Sequence, residues 1–68
     1  MSEINKFVGN TIKKIRLKRG WTQEKLALEA ELHRAYIGQI ERGEKNIGIR
    51  NLEKIAEALS VKIKDLIP

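Results

Sequence analysis

The sequence predicts an all-α fold of five short helices, and three observations lead to this fold class. Apolar residues recur three and four positions apart along most of the chain, which is the spacing of one helix face. Residues that begin or end helices stand between these stripes, with Thr22 at one start and Gly20 and Gly43 at two ends. Hydrophobic residues make up 41% of the 68 residues, enough for one globular core. We therefore expect a single small domain over residues 1–68.

The charge balance favours an anionic partner. The chain has 14 Lys and Arg residues against 9 Asp and Glu, a net charge of +5, which biases it moderately toward polyanions.

The chain has no cysteine, so disulfides and thiolate metal sites are excluded and an intracellular, cytoplasmic location is expected. The first residues, MSEINK, lack the order of a signal peptide, and no apolar run approaches the roughly 18 residues of a membrane span. No membrane partner is therefore expected.

The first helix is predicted from about Ile4 to Arg19. Its apolar stripe, which we expect to be buried, consists of Ile4, Val8, Ile12 and Ile15. Most of its lysines lie away from this stripe and are interpreted as a solvated face. Gly20 ends the helix, and Trp21 is interpreted as a structural residue that plugs the core or staples the next helix.

Residues 22–43 form two short helical patterns around a tight turn, and the rest of the chain is predicted to hold them. The first pattern runs from about Gln23 to Glu29, and the second begins after His33 and ends at Gly43. The outward face of the second pattern carries hydrogen-bonding and small residues and no acidic residue: Arg34, Ala35, Gly38, Gln39 and Arg42. Such a face suits the major groove of DNA, where Arg and Gln read base edges and small residues allow close approach.

The C-terminal part of the chain is predicted to close the core. A loop over residues 44–48 precedes a helix from Arg50 to Leu59. The apolar stripe of this segment is Ile49, Leu52, Ile55, Ala56 and Leu59. A fifth short helix is predicted over residues 63–67, and its aliphatic residues are Ile63, Leu66 and Ile67. They either pack into the core or form a twofold dimer contact, and dimerisation would help a chain that buries only about 60% of its extended surface.

These segments resemble the helix-turn-helix of the Cro/CI-type repressors, also called the Xre family. The resemblance runs from about Val8 to Ile67 and is strongest in the stretches WTQEKLA, YIGQIERG and NLEKIAEAL. Within the family, LHRAYIGQIERGEKNI is most similar to the small controller proteins of restriction–modification systems. The resemblance implies a compact, five-helix, lambda-repressor-like domain that binds operator DNA as a homodimer, with the last helix in the dimer contact. It leaves open whether the outcome is repression or activation.

By the same resemblance, the third helix reads DNA, and its expected base contacts are Arg34, Ala35, Tyr36 and Gln39. Arg34 can pair with guanine O6 and N7, Gln39 with adenine N6 and N7, and Ala35 can touch a thymine methyl group. Tyr36 has two interpretations of equal weight, because its ring can pack inward or its hydroxyl can contact DNA. Gly38 is interpreted as allowing close backbone approach.

Contacts to DNA phosphates are expected from polar residues around this helix, namely Gln23, His33, Arg42, Lys45 and Asn46. The resemblance also pairs Arg16 with Glu41, an ion pair that would attach the first helix to the third through two parallel hydrogen bonds. The alternative is an exposed pair that contributes less than about 1 kcal/mol.

The chain departs from the family pattern at two positions. Glu31 stands in the turn where the family usually has glycine, and a glutamate at positive φ is expected to cost about 1 kcal/mol. Ile47 stands in the following loop where the family often has proline.

No enzymatic function is expected. The sequence has no Gly-rich phosphate loop and no cysteine, and its only histidine, His33, is not expected to bind a metal ion. Neither a cofactor nor a small-molecule effector is expected. The alternative to DNA binding is a helix-turn-helix adaptor for protein interaction, which would more often carry an apolar patch on the outward face of the third helix.

Overall fold

Four α-helices build the fold in the computed structural model, which describes residues 2–68. They are α1 (Glu3–Lys18), α2 (Gln23–Ala30), α3 (Arg34–Glu41) and α4 (Ile49–Leu59). No β-strand occurs in this part of the chain, so the all-α prediction is confirmed. The prediction of five helices is wrong, because the last segment is a single 3-10 turn over Ile63–Asp65.

The last segment is a 3-10 turn, in which each backbone hydrogen bond spans three residues instead of four. The amides of Asp65 and Leu66 donate to the carbonyls of Lys62 and Ile63, at 2.9 and 2.8 Å. The Asp65 carboxylate accepts from the Lys62 amide at 3.0 Å and fixes the start of the turn. So short a segment makes too few bonds to offset the cost of nucleating an α-helix.

All four α-helices end in the same hydrogen-bonded stop. In each, the residue that follows a left-handed residue donates its backbone N–H to the carbonyl of the residue five positions earlier. The four donors are Trp21, Leu32, Glu44 and Val61. The residue before each of these has a positive φ of 58–75°: Gly20, Glu31, Gly43 and Ser60. The left-handed stop expected at Gly43 is therefore present, and Glu31 adopts the glycine-like conformation that its position requires.

We expect Glu31→Gly to stabilise the protein by about 0.5–1 kcal/mol. A side chain at φ 58° is strained, and glycine relieves this strain without changing the turn. Ser60→Gly is the matched control, because Ser60 has the same φ of 58° and no charge. Thermal unfolding of both variants checks the prediction. A lower melting temperature for Glu31→Gly alone would mean that the glutamate side chain supports the turn.

The core lies where α1 and α2 meet α3 and where α2 meets α4. Every helix contributes to it, and the last turn adds Leu66. Its largest fully buried side chains are Ile12, Leu26, Ile37, Ile40, Ile55, Leu59 and Leu66. Trp21 is half-buried against this core, as its structural interpretation requires. No helix within residues 2–68 has the length and apolar character that a membrane crossing needs.

A close approach between α1 and α3 depends on Gly9. This residue is buried, and a Cβ placed on it would overlap the Ile40 carbonyl oxygen and lie 3.0 Å from that of Glu41. Glycine at this position therefore sets the distance between the two helices.

Two isoleucines of the predicted stripes are not in the core. Ile4 is 61% exposed and Ile49 is 72% exposed, although their spacing to the next buried residues is helical. Both lie in the first turn of a helix, and a helical Cβ tilts toward the N-terminus. Their side chains therefore project past the end of the core instead of into it.

The predicted dimer contact also needs a correction. Leu66 is fully buried within the protomer, so its side chain cannot reach a partner. Ile63 is half-buried, and Ile67 remains 42% exposed. A 3-10 helix has three residues per turn, so the side chains of Ile63 and Leu66 point toward the same side. Both cover α4.

Candidate nucleic-acid interface

A buried ion pair joins α1 to α3. Arg16 donates from Nε and Nη2 to the two carboxylate oxygens of Glu41, at 2.7 and 3.0 Å. The two side chains are only 7% and 2% exposed. Hydrogen bonding to Glu41 raises the pKa of Arg16 above its ordinary value and outweighs its desolvation. The exposed alternative is therefore excluded, and the pair belongs to the interior.

The same pair also fixes the start of α2. Arg16 Nη1 donates to the Trp21 carbonyl at 2.7 Å, just before the Thr22 cap. Gln23 Nε2 donates to Glu41 Oε1 at 3.1 Å. The side-chain amide nitrogen of Gln23 thus forms a hydrogen bond within the protein, although the sequence predicts that this residue contacts a DNA phosphate. This network holds α1, α2 and α3 in one arrangement.

The outward face of α3 forms one side of a shallow cleft, and the start of α2 forms the other. The residues that line it are Gln23, Arg34, Ala35, Gly38, Gln39 and Arg42. The α3 members follow the spacing of a single helix face, while Ile37, Ile40 and Glu41 are buried on the opposite side. The structure therefore brings together five residues predicted for DNA contact. A Cβ on Gly38 would lie 3.1 Å from Arg42 Nη1, so this glycine leaves room for that guanidinium.

Both arginines of the cleft are paired with carboxylates. Arg42 donates from Nε and Nη2 to Glu44 at 2.7 and 3.2 Å. These hydrogen bonds raise the pKa of Arg42 and lower the pKa of Glu44 from their ordinary values. The second pair is looser, with Arg34 Nη1 at 3.6 Å from Glu24 Oε1. All four side chains are exposed, so the pairs can exchange for other partners.

Tyr36 lies beside the cleft and does not line it. Its ring is half-buried against the core, and its hydroxyl accepts a hydrogen bond from Asn51 Nδ2 at 3.0 Å. Inward packing of the ring is therefore observed. The hydroxyl keeps its own proton available for a further acceptor.

The three remaining phosphate candidates also lie outside the cleft. His33 is exposed at the cap position of α3, where its side chain makes no capping hydrogen bond. Asn46 accepts from Asn5 Nδ2 at 2.7 Å, which ties the loop after α3 to α1. Lys45 is exposed in that loop. These residues surround the ends of α3.

The family follows from a match that covers most of the chain. Residues 12–66 match the sequence model of the family described as Helix-turn-helix. The chain belongs to the Cro/CI-type (Xre) helix-turn-helix family. In this family α2 and α3 are the two helices of the motif.

Controller proteins are among the similar members of this helix-turn-helix family. The control protein C.BamHI of Bacillus amyloliquefaciens is 48% identical over 67 residues, which cover 97% of this chain and 83% of that protein. The crystal structure of the restriction–modification controller C.AhdI from Aeromonas hydrophila superposes with a TM-score of 0.90 at 33% identity, covering 93% and 96% of the two chains. The tetramer of the controller C.Esp1396I in complex with its natural 35 base-pair operator gives a TM-score of 0.86 at 40% identity, covering 97% of each chain.

Sequence reasoning missed three polar partners of the helix-turn-helix face: Glu24, Glu44 and Asn51. Glu24 stands in the first turn of α2, and Glu44 was predicted only as part of a loop. The sequence did contain a signal for Glu44, which is its position two residues after Arg42. The left-handed stop between them turns the chain back toward the helix end. No local pattern connects Asn51 with Tyr36, since they stand on different helices, α4 and α3.

Proposed function

We propose that this chain is a transcription regulator that binds operator DNA as a homodimer and controls a restriction–modification system. One observation carries the proposal: Arg34, Gln39 and Arg42 share an exposed cleft with Ala35 and Gly38 on the second helix of a helix-turn-helix. The Arg34 guanidinium and the Gln39 amide can form hydrogen bonds with base edges, Arg42 can contact a phosphate, and the two small residues let the helix approach the DNA.

The dimensions of α3 fit this use. An α-helix with its side chains is about 10–12 Å in diameter, and the major groove of B-DNA is about 12 Å wide. In a homodimer, two copies of α3 would enter successive major grooves about 34–36 Å apart on one face of the duplex. Arg34 stands at the N-terminal end of α3, the end that contacts base edges in helix-turn-helix proteins.

The surface chemistry of α3 disfavours the adaptor alternative. Large hydrophobic residues with high exposure in residues 2–68 all lie outside α3: Ile4, Phe7, Leu17, Leu28, Ile49 and Ile67. A protein-binding face would present such residues in a contiguous patch. The similar control proteins, one of them in complex with operator DNA, support regulation of a restriction–modification system.

Selection of duplexes from a randomised DNA pool tests the proposed function. The expected winner is a palindrome whose half-sites are about one helical turn apart, bound far more tightly than random DNA. Enrichment of no sequence, with only weak and salt-sensitive binding, would contradict the proposal and favour the adaptor.

Arg34→Ala should weaken binding to the selected duplex by about 1–3 kcal/mol and relax the preference at one base pair. Lys45→Ala is the matched comparison, because a phosphate contact should weaken all duplexes alike and reduce the salt dependence. Titration of a panel of single-base variants at two salt concentrations measures both effects. Uniform weakening by Arg34→Ala would assign Arg34 to a phosphate instead.

The dimer surface is proposed at the place where the C-terminal segment meets α1. Ile4 and Phe7 line one shallow depression together with Pro68, next to the exposed Ile67. Two of the exposed hydrophobic side chains, Ile4 and Phe7, thus lie together, and Ile67 directly precedes Pro68 in the chain, with Ile63 half-buried nearby in the chain. A twofold contact would bury this surface on both protomers at once.

Ile67→Asp should raise the dimer dissociation constant by roughly two to four orders of magnitude. Each protomer loses a buried isoleucine worth about 1.5–3 kcal/mol, and twofold symmetry counts the loss twice. Ile49→Asp is the control, since Ile49 is another exposed isoleucine on a different element. Sedimentation equilibrium measures both variants. Equal dissociation constants for the two would place the dimer contact elsewhere.

A further inference from the structure

Arg42 is held by Glu44 at the edge of the cleft. The guanidinium uses its Nε and Nη2 edge for two parallel hydrogen bonds, although the two side chains remain 59% and 43% exposed. A pair of this geometry is stronger than a single-contact surface pair, because both carboxylate oxygens are engaged. Arg42, which the sequence predicts to contact a phosphate, is therefore already paired with an anionic side chain of the protein itself.

The position of Glu44 at the end of α3 is unusual within this fold. The other three α-helix stops place an apolar residue at the equivalent position: Trp21, Leu32 and Val61. These side chains are half-buried against the core, which is the usual packing at such a stop. Glu44 is exposed and packs against nothing in the core. Its backbone amide, bonded to the Gln39 carbonyl at 2.9 Å, turns the carboxylate back to Arg42.

The pair changes what an approaching phosphate meets. Together the guanidinium and the carboxylate have no net charge, and the free Nη1 group of Arg42 faces Gly38 inside the cleft. A phosphate that contacts Arg42 must approach the Glu44 carboxylate or displace it. Either event costs free energy that is independent of the DNA sequence, because the sugar-phosphate backbone is the same at every site.

We propose that Glu44 lowers the affinity of this protein for DNA of any sequence by competing with phosphate for Arg42. This inference rests on the proposed DNA binding and adds a residue that sets its overall strength. Arg34 and Glu24 form a weaker version of the same arrangement, since their single contact is 3.6 Å long. Glu44 therefore controls the sequence-independent part of binding, while the side chains on the face of α3 supply the preference for particular bases.

The test uses Glu44→Gln, which removes the charge and keeps the shape. Glu57→Gln is the matched control, because Glu57 is an exposed glutamate on α4 outside the cleft, and its loss changes the net charge equally. Both variants and the unchanged protein are titrated with the selected duplex and with a random duplex over a range of salt concentrations. Glu44→Gln should tighten binding to both duplexes about fivefold relative to Glu57→Gln, and its salt dependence should be steeper by about one phosphate contact.

A second pair of variants tests whether the effect passes through Arg42. In an Arg42→Gln background, Glu44→Gln should tighten binding less than twofold, because the competition has been removed. Equal affinities for Glu44→Gln and Glu57→Gln would overturn the inference and leave the proposed function intact. A change confined to one base pair would also overturn it. Absence of binding by the unchanged protein to any duplex would overturn the inference together with the proposed function.

Discussion

Gly9→Ala is expected to lower the free energy of unfolding by about 3 kcal/mol or more. The added methyl group would overlap the Ile40 carbonyl oxygen, which is backbone and has no rotamer that could move away. Relief requires α1 to separate from α3, and that separation opens the core on both sides. A domain of this length has roughly 3–10 kcal/mol of stability in total. The substitution should therefore leave a large fraction of the protein unfolded at moderate temperature.

Gly48→Ala is the control for this prediction, because a Cβ there meets nothing within 4 Å and its φ of −71° suits alanine. Thermal unfolding followed by circular dichroism measures both variants. The melting temperature should fall by at least about 12 °C for Gly9→Ala and by no more than about 6 °C for Gly48→Ala, because replacing the N-cap glycine of α4 by alanine costs up to about 1 kcal/mol. Similar melting temperatures for the two variants would mean that α1 and α3 are farther apart than described above.

Arg16→Met should destabilise the protein by about 3–5 kcal/mol. It leaves the Glu41 carboxylate buried with only the Gln23 amide as a hydrogen-bonding partner, and an uncompensated buried charge is costly. The Trp21 carbonyl loses its donor at the same time. Chemical denaturation of the variant measures the loss.

The double variant Arg16→Met/Glu41→Met distinguishes a buried charge pair from simple loss of packing. Removing both charges should recover a large part of the stability lost by either single variant, since no carboxylate or guanidinium then remains unpaired inside the protein. Additive losses from the two single substitutions would show that the two side chains do not depend on each other. In that case the ion pair would contribute no more to the free energy of unfolding than an exposed ion pair does.

Features that depend on neighbouring residues in the sequence could be predicted. The Thr22 hydroxyl caps α2 by accepting from the Lys25 amide at 3.0 Å, and Gly43 ends α3 at φ 75°. Each requires only a few consecutive residues, so residue type and spacing are sufficient. The helical face of Arg34, Gln39 and Arg42 was predictable for the same reason, because periodicity alone places them side by side.

Features that depend on how helices pack could not be predicted in this way. Periodicity assigns Ile4 and Ile49 to buried stripes, but it does not say where the core ends along a helix axis. Gly9 carries no local signal either, since a glycine inside a helical pattern looks unfavourable until α3 is placed against it. The partners of the interface residues, such as Asn51 for Tyr36, come from different helices and become visible only in three dimensions.

The short connections between helices bear on how quickly the protein becomes active after synthesis. Residues 19–22, 31–33 and 42–48 join successive helices. Most contacts in the described part of the chain join residues fewer than 12 positions apart. Helical proteins with such local contacts fold in microseconds to milliseconds, whereas translation of a chain takes seconds. Each new copy should therefore fold without delay. For a regulator of this kind, any time lag in a cell would come from synthesis and from the meeting of two protomers.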